Sequence, residues 1–206
     1  MIFVSHNDKP LGGEIKVELE QWGYECFLAH DDIPAGSDWD RELWTVLTGC
    51  DMFIGIITPT YAQSPYCQQE VGAAIAMDKL RLMVKTDQTD PPGFAKRWQA
   101  IHRPRLVHTL DTAPAYRRIR VLAWIKATKD ATSYDRANDV YKHFQNEWDT
   151  MNDSEKLSWL LAAAGSGEVS SEKFHVGPFF HACKRQLAPL LTPDWLEAND
   201  PDNLLH

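Results

Sequence analysis

The sequence predicts an α/β protein: a flavodoxin-like, five-stranded parallel sheet with helices on both faces, followed by an all-helical C-terminal extension. Three observations carry this expectation. Short unbroken apolar runs such as Ile2–Val4 and Met52–Ile57 suit strands that are buried on both faces. Segments with helical spacing alternate with those runs as far as residue 110, the order expected of a parallel sheet. After residue 112 only helical spacing remains, which divides the chain into an α/β domain at 1–112 and a helical extension at 113–206.

The elements follow in order. Ile2–Val4 reads as the first strand and Ser5-His6-Asn7-Asp8 as a polar loop. Residues 13–22 place Ile15, Leu19 and Trp22 on one helical side, and Gly23 suits the helix end. Tyr24–Ala29 is expected as a second strand, and residues 30–36 as a loop with turn chemistry in Pro34-Ala35-Gly36. Ser37 or Asp38 can cap a helix over Trp39–Thr48, with Trp39, Leu43, Val46 and Leu47 as its apolar stripe. Met52–Ile57 is the most hydrophobic strand, and Thr58–Gln63 reads as a loop.

Ser64-Pro65 has the form of an N-cap followed by a first helical residue, where proline loses nothing, and the helix is expected to reach Lys79. Leu80–Val84 is expected as strand four, Ala95–Ile101 as a short helix and Leu106–Leu110 as strand five. Helical spacing returns over Tyr116–Lys126 and Asp135–Met151. Asn152 and Glu155 resemble a capping box that opens a helix ending at Gly165, and a last helix is expected from Pro178 to Leu190.

Composition narrows the function. The net charge is −8, and neither half of the chain has the basic excess that nucleic-acid binding requires. The arginines at 97, 103, 105, 117, 118 and 120 form the one basic cluster, read mainly as a solvated face. The four cysteines form no CxxC pair and are expected to be reduced thiols. The N-terminus reads as a strand rather than a secretory leader, and no apolar run is long enough to span a bilayer. A cytoplasmic protein with no membrane anchor of its own is the expectation. His175, His181 and Cys183 lack recognised metal spacing, and neither a dinucleotide fingerprint nor a P-loop is present.

In parallel sheets ligands sit beyond the carboxyl ends of the strands, which here carry residues 5–9, 29–37 and 58–66. Tyr66 and Glu70, four apart at the start of the Ser64 helix, share one helical face at that rim. Ser5 and His6 end the first strand at the same rim, His6 reading more as a hydrogen-bonded loop residue than as a catalyst. Cys67 has no evident base nearby and reads as a packing residue.

Several of these segments together resemble the Toll/interleukin-1 receptor (TIR) domain family. They are Ile2-Phe3-Val4-Ser5-His6; Phe27 through Gly36, followed by Trp39; Cys50-Asp51-Met52-Phe53-Ile54; Ser64-Pro65-Tyr66-Cys67-Gln68-Gln69-Glu70; and Pro92-Gly93-Phe94. Their order and spacing carry the match over the first half of the chain. The helical remainder matches no family known to us. The family contains adaptors and enzymes. The enzymes cleave NAD, and their motif, an aromatic residue four before a glutamate, falls on Tyr66 and Glu70, with tyrosine where many enzymatic members carry tryptophan.

The resemblance implies Glu70 as the catalytic carboxylate. It also implies Ser5, His6, Asp31, Asp32, Ile33, Trp39 and Tyr66 as substrate-binding residues, with NAD as substrate and no further cofactor. It further implies self-association through TIR surfaces, a role in antiviral defence through NAD depletion or a cyclic ADP-ribose-type messenger, and a downstream effector that senses the product. One carboxylate suffices for this bond, because nicotinamide leaves as a neutral molecule and needs no acid, unlike the leaving oxygen of a glycoside. Two other readings remain open: a non-catalytic scaffold acting by TIR–TIR association, and an enzyme similar to the nucleoside deoxyribosyltransferases.

Overall fold

The computed structural model describes residues 1–28, 32–33 and 38–205, apart from the side chain of Trp39. Five parallel strands form one sheet: β1 (Ile2–Ser5), β2 (Cys26–Phe27), β3 (Met52–Ile57), β4 (Leu80–Lys85) and β5 (Ile101–His102), in the order β2-β1-β3-β4-β5. This is the flavodoxin-like order expected of a doubly wound sheet. All residues of β1 and β3 are buried, so both faces of the central strands are covered. Along one face Phe3 stacks on Phe53, with centroids 5.8 Å apart, and Leu47, Tyr61, Val71 and Ala74 complete that core.

Helices connect the strands. Helix α1 (Lys9–Gln21) is capped by Asp8, whose carboxylate accepts from Leu11 N, and it buries Ile15 and Leu19. Gly23 follows it at φ 83°, a left-handed conformation that glycine adopts without strain. Helix α2 (Trp39–Gly49) is capped by Asp38, one of the two residues expected there; Ser37, the other, lies outside the described residues. Helix α3 (Pro59–Gln63) and helix α4 (Pro65–Ala76) both begin with a hydroxyl cap followed by proline: Thr58-Pro59 and Ser64-Pro65.

Several expectations need correction. Residues 58–63 are not a loop but Thr58 and the single turn of α3, held by the Thr58 hydroxyl accepting from Tyr61 N at 3.1 Å. Residues 106–110 are not a strand. Helix α5 (Leu106–Thr112) occupies them because Leu106 and Leu110, one turn apart, are both fully buried. The fifth strand is the shorter Ile101–His102, and the helix expected over 95–101 is instead a 3₁₀ segment, Gly93–Arg97, that covers only its first three residues. Strand β2 is two residues long rather than six, and α4 stops at Ala76. Arg120 is no part of a solvated face. It is buried, and its Nη1 donates to the carbonyls of Leu110 at 3.2 Å and Ala113 at 2.9 Å.

The chain divides into Met1–Arg120 and Val121–His206, the division falling within α6 (Arg117–Lys129). The second unit is helical. It contains α7 (Tyr134–Phe144), α8 (Asp153–Ala164), α9 (Gly167–Ser170), α10 (Val176–Leu187) and α11 (Pro193–Asn199). The expected helix over 135–151 ends at Phe144 and gives way to a 3₁₀ segment, Gln145–Thr150. The capping box of Asn152 and Glu155 is present in both directions. Trp159 is the centre of this core, fully buried between Phe144 and Phe179, and its indole donates to the Thr128 hydroxyl at 3.1 Å. At the start of α10 the buried Glu172 carboxylate accepts from Phe174, His175 and Gly177 N at 2.8, 2.7 and 3.1 Å. Among the described residues no helix is long and apolar enough to cross a membrane.

Candidate active site

The carboxyl ends of β1 and β3 position the site. Beyond β3, Thr58 turns the chain into α3, which drives Tyr61 into the core, fully buried. Ser64 then starts α4, its hydroxyl accepting from Cys67 N at 3.3 Å, and Glu70 follows in the second turn. Glu70 is 9 % exposed and has no cation beside it among the described residues, an unusual place for a carboxylate. Ser5, at the end of β1, donates its hydroxyl proton to Glu70 Oε2, and its oxygen lies 3.2 Å from the Tyr61 hydroxyl.

A serine hydroxyl has one proton. When Glu70 is ionised that proton points at the carboxylate, so Tyr61 must donate into Ser5. When Glu70 is protonated the chain can run the other way, from Glu70 through Ser5 to Tyr61. The three side chains therefore form a buried relay whose direction reports the charge on Glu70. Burial pushes the Glu70 carboxyl up from 4.5 to about 7, and the Ser5 hydrogen bond offsets part of that rise. Burial also raises the Tyr61 phenol above its ordinary value, so Tyr61 stays a neutral donor. The Cys67 thiol is raised by burial as well and is no thiolate nucleophile, in keeping with its expected packing role.

Glu70 lines a cavity of about 800 Å³. Ser5, His6 and Tyr66 line it too, Tyr66 being 68 % exposed. Tyr66 is thus not a core residue. The structure brings Ser5, His6, Tyr66 and Glu70 together around one space, as their positions at strand ends and on one helical face suggested. His6 is buried, with its ring against Gly12: a Cβ there would lie 2.8 Å from the imidazole Cγ. Asp32 is elsewhere employed. Its carboxylate holds Lys16 Nζ at 2.6 Å and accepts from Leu28 N at 2.7 Å. Ile33 is buried, and neither Asp32 nor Ile33 is on the cavity wall. Asp31 and the Trp39 side chain lie outside the described residues.

Two residues of the site escaped the reading of the sequence. Tyr61 sat in a polar stretch without periodicity. Trp44 lines the cavity from α2 and is 54 % exposed; its position off the apolar stripe of that helix was the available signal. Among the described residues no three His, Cys, Asp or Glu side chains gather as a metal ion would need.

The arrangement can present one carboxylate, backed by hydroxyls and flanked by aromatic faces, to a cationic centre in a pocket of small-molecule size. No curated protein matches the chain. Residues 1–119, which include every strand and all of this cavity, match the family model described as TIR domain. The sheet order, the serine–proline start of α4 and the match over more than half of the sequence agree: this chain belongs to the TIR domain family.

Proposed function

We propose that this TIR domain cleaves NAD at the nicotinamide–ribose bond, with Glu70 as the central carboxylate. One observation supports this above the others: a buried glutamate, without a cation partner among the described residues, on the wall of a cavity large enough for a nicotinamide riboside. Cleavage breaks the bond between ribose C1′ and the pyridinium nitrogen. The bonding pair goes to nitrogen, nicotinamide leaves neutral, and positive charge grows on C1′ and the ring oxygen. An ionised Glu70 stabilises that charge where it develops. Water then adds to C1′ and gives up one proton, so NAD and water become ADP-ribose, nicotinamide and a proton. Attack by a hydroxyl of the substrate itself in place of water gives a cyclic product.

The substrate also prepares the catalyst. Its pyridinium charge beside Glu70 favours the carboxylate over the acid, so binding shifts a half-ionised group toward its active form. Ser5 and Tyr61 hold the carboxylate in place, and Tyr66 and Trp44 offer flat faces at the mouth for the rings of the substrate. Antiviral signalling through NAD depletion or a cyclic ADP-ribose-type messenger sensed by an effector is the role we assign to this chemistry.

A second reading is a scaffold that acts by TIR–TIR association. It is favoured by the exposed aromatic side chains Phe94, 79 % exposed, and Trp44. Concentrated protein incubated with NAD separates the two. Nicotinamide release that falls roughly a hundredfold or more in Glu70→Gln supports the enzyme. No release from wild type at any protein concentration, with the fold intact, leaves the scaffold.

A further inference from the structure

A second cavity, of about 500 Å³, opens at the carboxyl ends of β4 and β5, on the other side of the sheet order from β2. Lys85 is the last residue of β4 and His102 the last of β5, and the two are register partners. Their side chains therefore leave the sheet on the same face from Cα atoms about 4.8 Å apart. Lys96 and Arg105 line the same space.

Asp87 acts electrostatically on Lys85. Among the described residues none of Lys85, Lys96, His102 and Arg105 takes part in an ion pair. Asp90 is the one carboxylate on the wall, set against three fixed cations. On the wall cations outnumber the carboxylate, in a chain whose net charge is −8. Local charge that opposes the field of the whole molecule is how a site concentrates an anion.

We propose that this cavity binds a diphosphate anion, either free or carried by a nucleotide. Its volume is that of a small-molecule site. Three cationic side chains suit the several anionic oxygens of a diphosphate better than a lone carboxylate. The donor set fits as well: lysine ammonium groups act as point charges, and the Arg105 guanidinium can hold two phosphate oxygens at once. Trp98 is also on the wall, its ring stacked by the guanidinium groups of Arg81 and Arg97 at 4.6 and 4.2 Å. The site is separate from the Glu70 cavity, with which it shares no lining residue, and it does not rest on the NAD reading.

The test is an NMR titration of the isotope-labelled full chain with pyrophosphate, ADP and adenosine at near-physiological salt. Pyrophosphate and ADP should shift the amides of Lys85, Lys96, His102 and Arg105, and adenosine should not. ADP binding more tightly than pyrophosphate identifies a nucleotide as the carrier; equal binding identifies the free anion. The Lys96→Ala, Arg105→Ala double variant, altered at two exposed positions, should keep the spectrum of a folded protein and bind pyrophosphate about tenfold more weakly or worse. Lys85→Gln should weaken it independently. Shifts confined to the surroundings of Ser5 and Glu70, or no shifts at all, would overturn the proposal. So would binding of an acidic peptide where pyrophosphate fails, because the surface would then be a protein contact.

Discussion

Ser5 donates its hydroxyl proton to Glu70 while standing 3.2 Å from Tyr61, so two buried hydroxyls back a single carboxylate. Removing either weakens the support of the ionised form. Ser5→Ala and Tyr61→Phe should each move the acid limb of the kcat/KM–pH profile upward, by about one pH unit for Ser5→Ala. Carbon-13 NMR of the Glu70 carboxyl measures the same shift without turnover. A lower limb in either variant would show that the relay does not stabilise the carboxylate.

Wild-type activity should itself rise with pH. The free protein holds Glu70 at about 7, so kcat/KM should climb through neutrality as the carboxylate forms. Bound substrate brings a pyridinium cation, which favours ionisation, so the limb in kcat should fall at lower pH than the limb in kcat/KM. Steady-state rates of nicotinamide release between pH 5 and 9 would reveal coincident limbs if the substrate charge does not reach Glu70.

The same burial that tunes Glu70 costs stability. Its folded pKa lies above the unfolded 4.5, so the folded state binds the proton more tightly. That contribution is complete below pH 4.5 and is lost as pH rises through about 7, worth about 3 kcal/mol at most. Glu70→Gln, neutral throughout, should therefore melt higher than wild type at pH 8 and no higher at pH 4. Thermal unfolding at the two values checks this; a stability gap that ignores pH would mean Glu70 is solvated in solution.

Gly12 faces the ring of His6, and a Cβ would intrude to 2.8 Å. Gly12→Ala should displace the imidazole and the β1–α1 corner, lowering stability by about 1–3 kcal/mol and reducing turnover as Ser5 moves with it. Denaturant unfolding and the rate of nicotinamide release measure the two effects. An unchanged protein would mean that His6 has a second comfortable position.

In the helical unit, Glu172 takes three backbone N–H groups at the start of α10. Glu172→Ala leaves those donors without an acceptor and should destabilise the protein by roughly 3 kcal/mol. Those N–H groups, which outweigh the opposing effect of burial, hold the Glu172 carboxyl below its ordinary range. Its share of stability is therefore present above pH 4.5 and fades as pH falls through the depressed value. A denaturation midpoint for the variant equal to wild type at pH 7 would sink this assignment.

Much of the fold was legible because the strongest patterns were also the most buried. The runs Ile2–Val4 and Met52–Ile57 became strands covered on both faces, and the caps at Ser64 and Asn152 started their helices where expected. Leu106–Leu110 misled because two leucines four apart in a five-residue stretch satisfy strand and helix alike; burial of both on one side decided for the helix. Ser5, Tyr66 and Glu70 were legible from strand ends and helical spacing. Tyr61 was not, since a one-turn helix is too short to show a period and its burial comes from contacts distant in sequence.

The two helix starts Thr58-Pro59 and Ser64-Pro65 stand six residues apart, and between them the backbone has almost no slack. Adding one residue to the turn after Ser64 would rotate everything beyond it by about 100°. Glu70 would then swing off the cleft while every local propensity stayed satisfied. Val71 and Ala74 would turn out of the core with it, so variants that lengthen or shorten this corner should lose stability along with their chemistry.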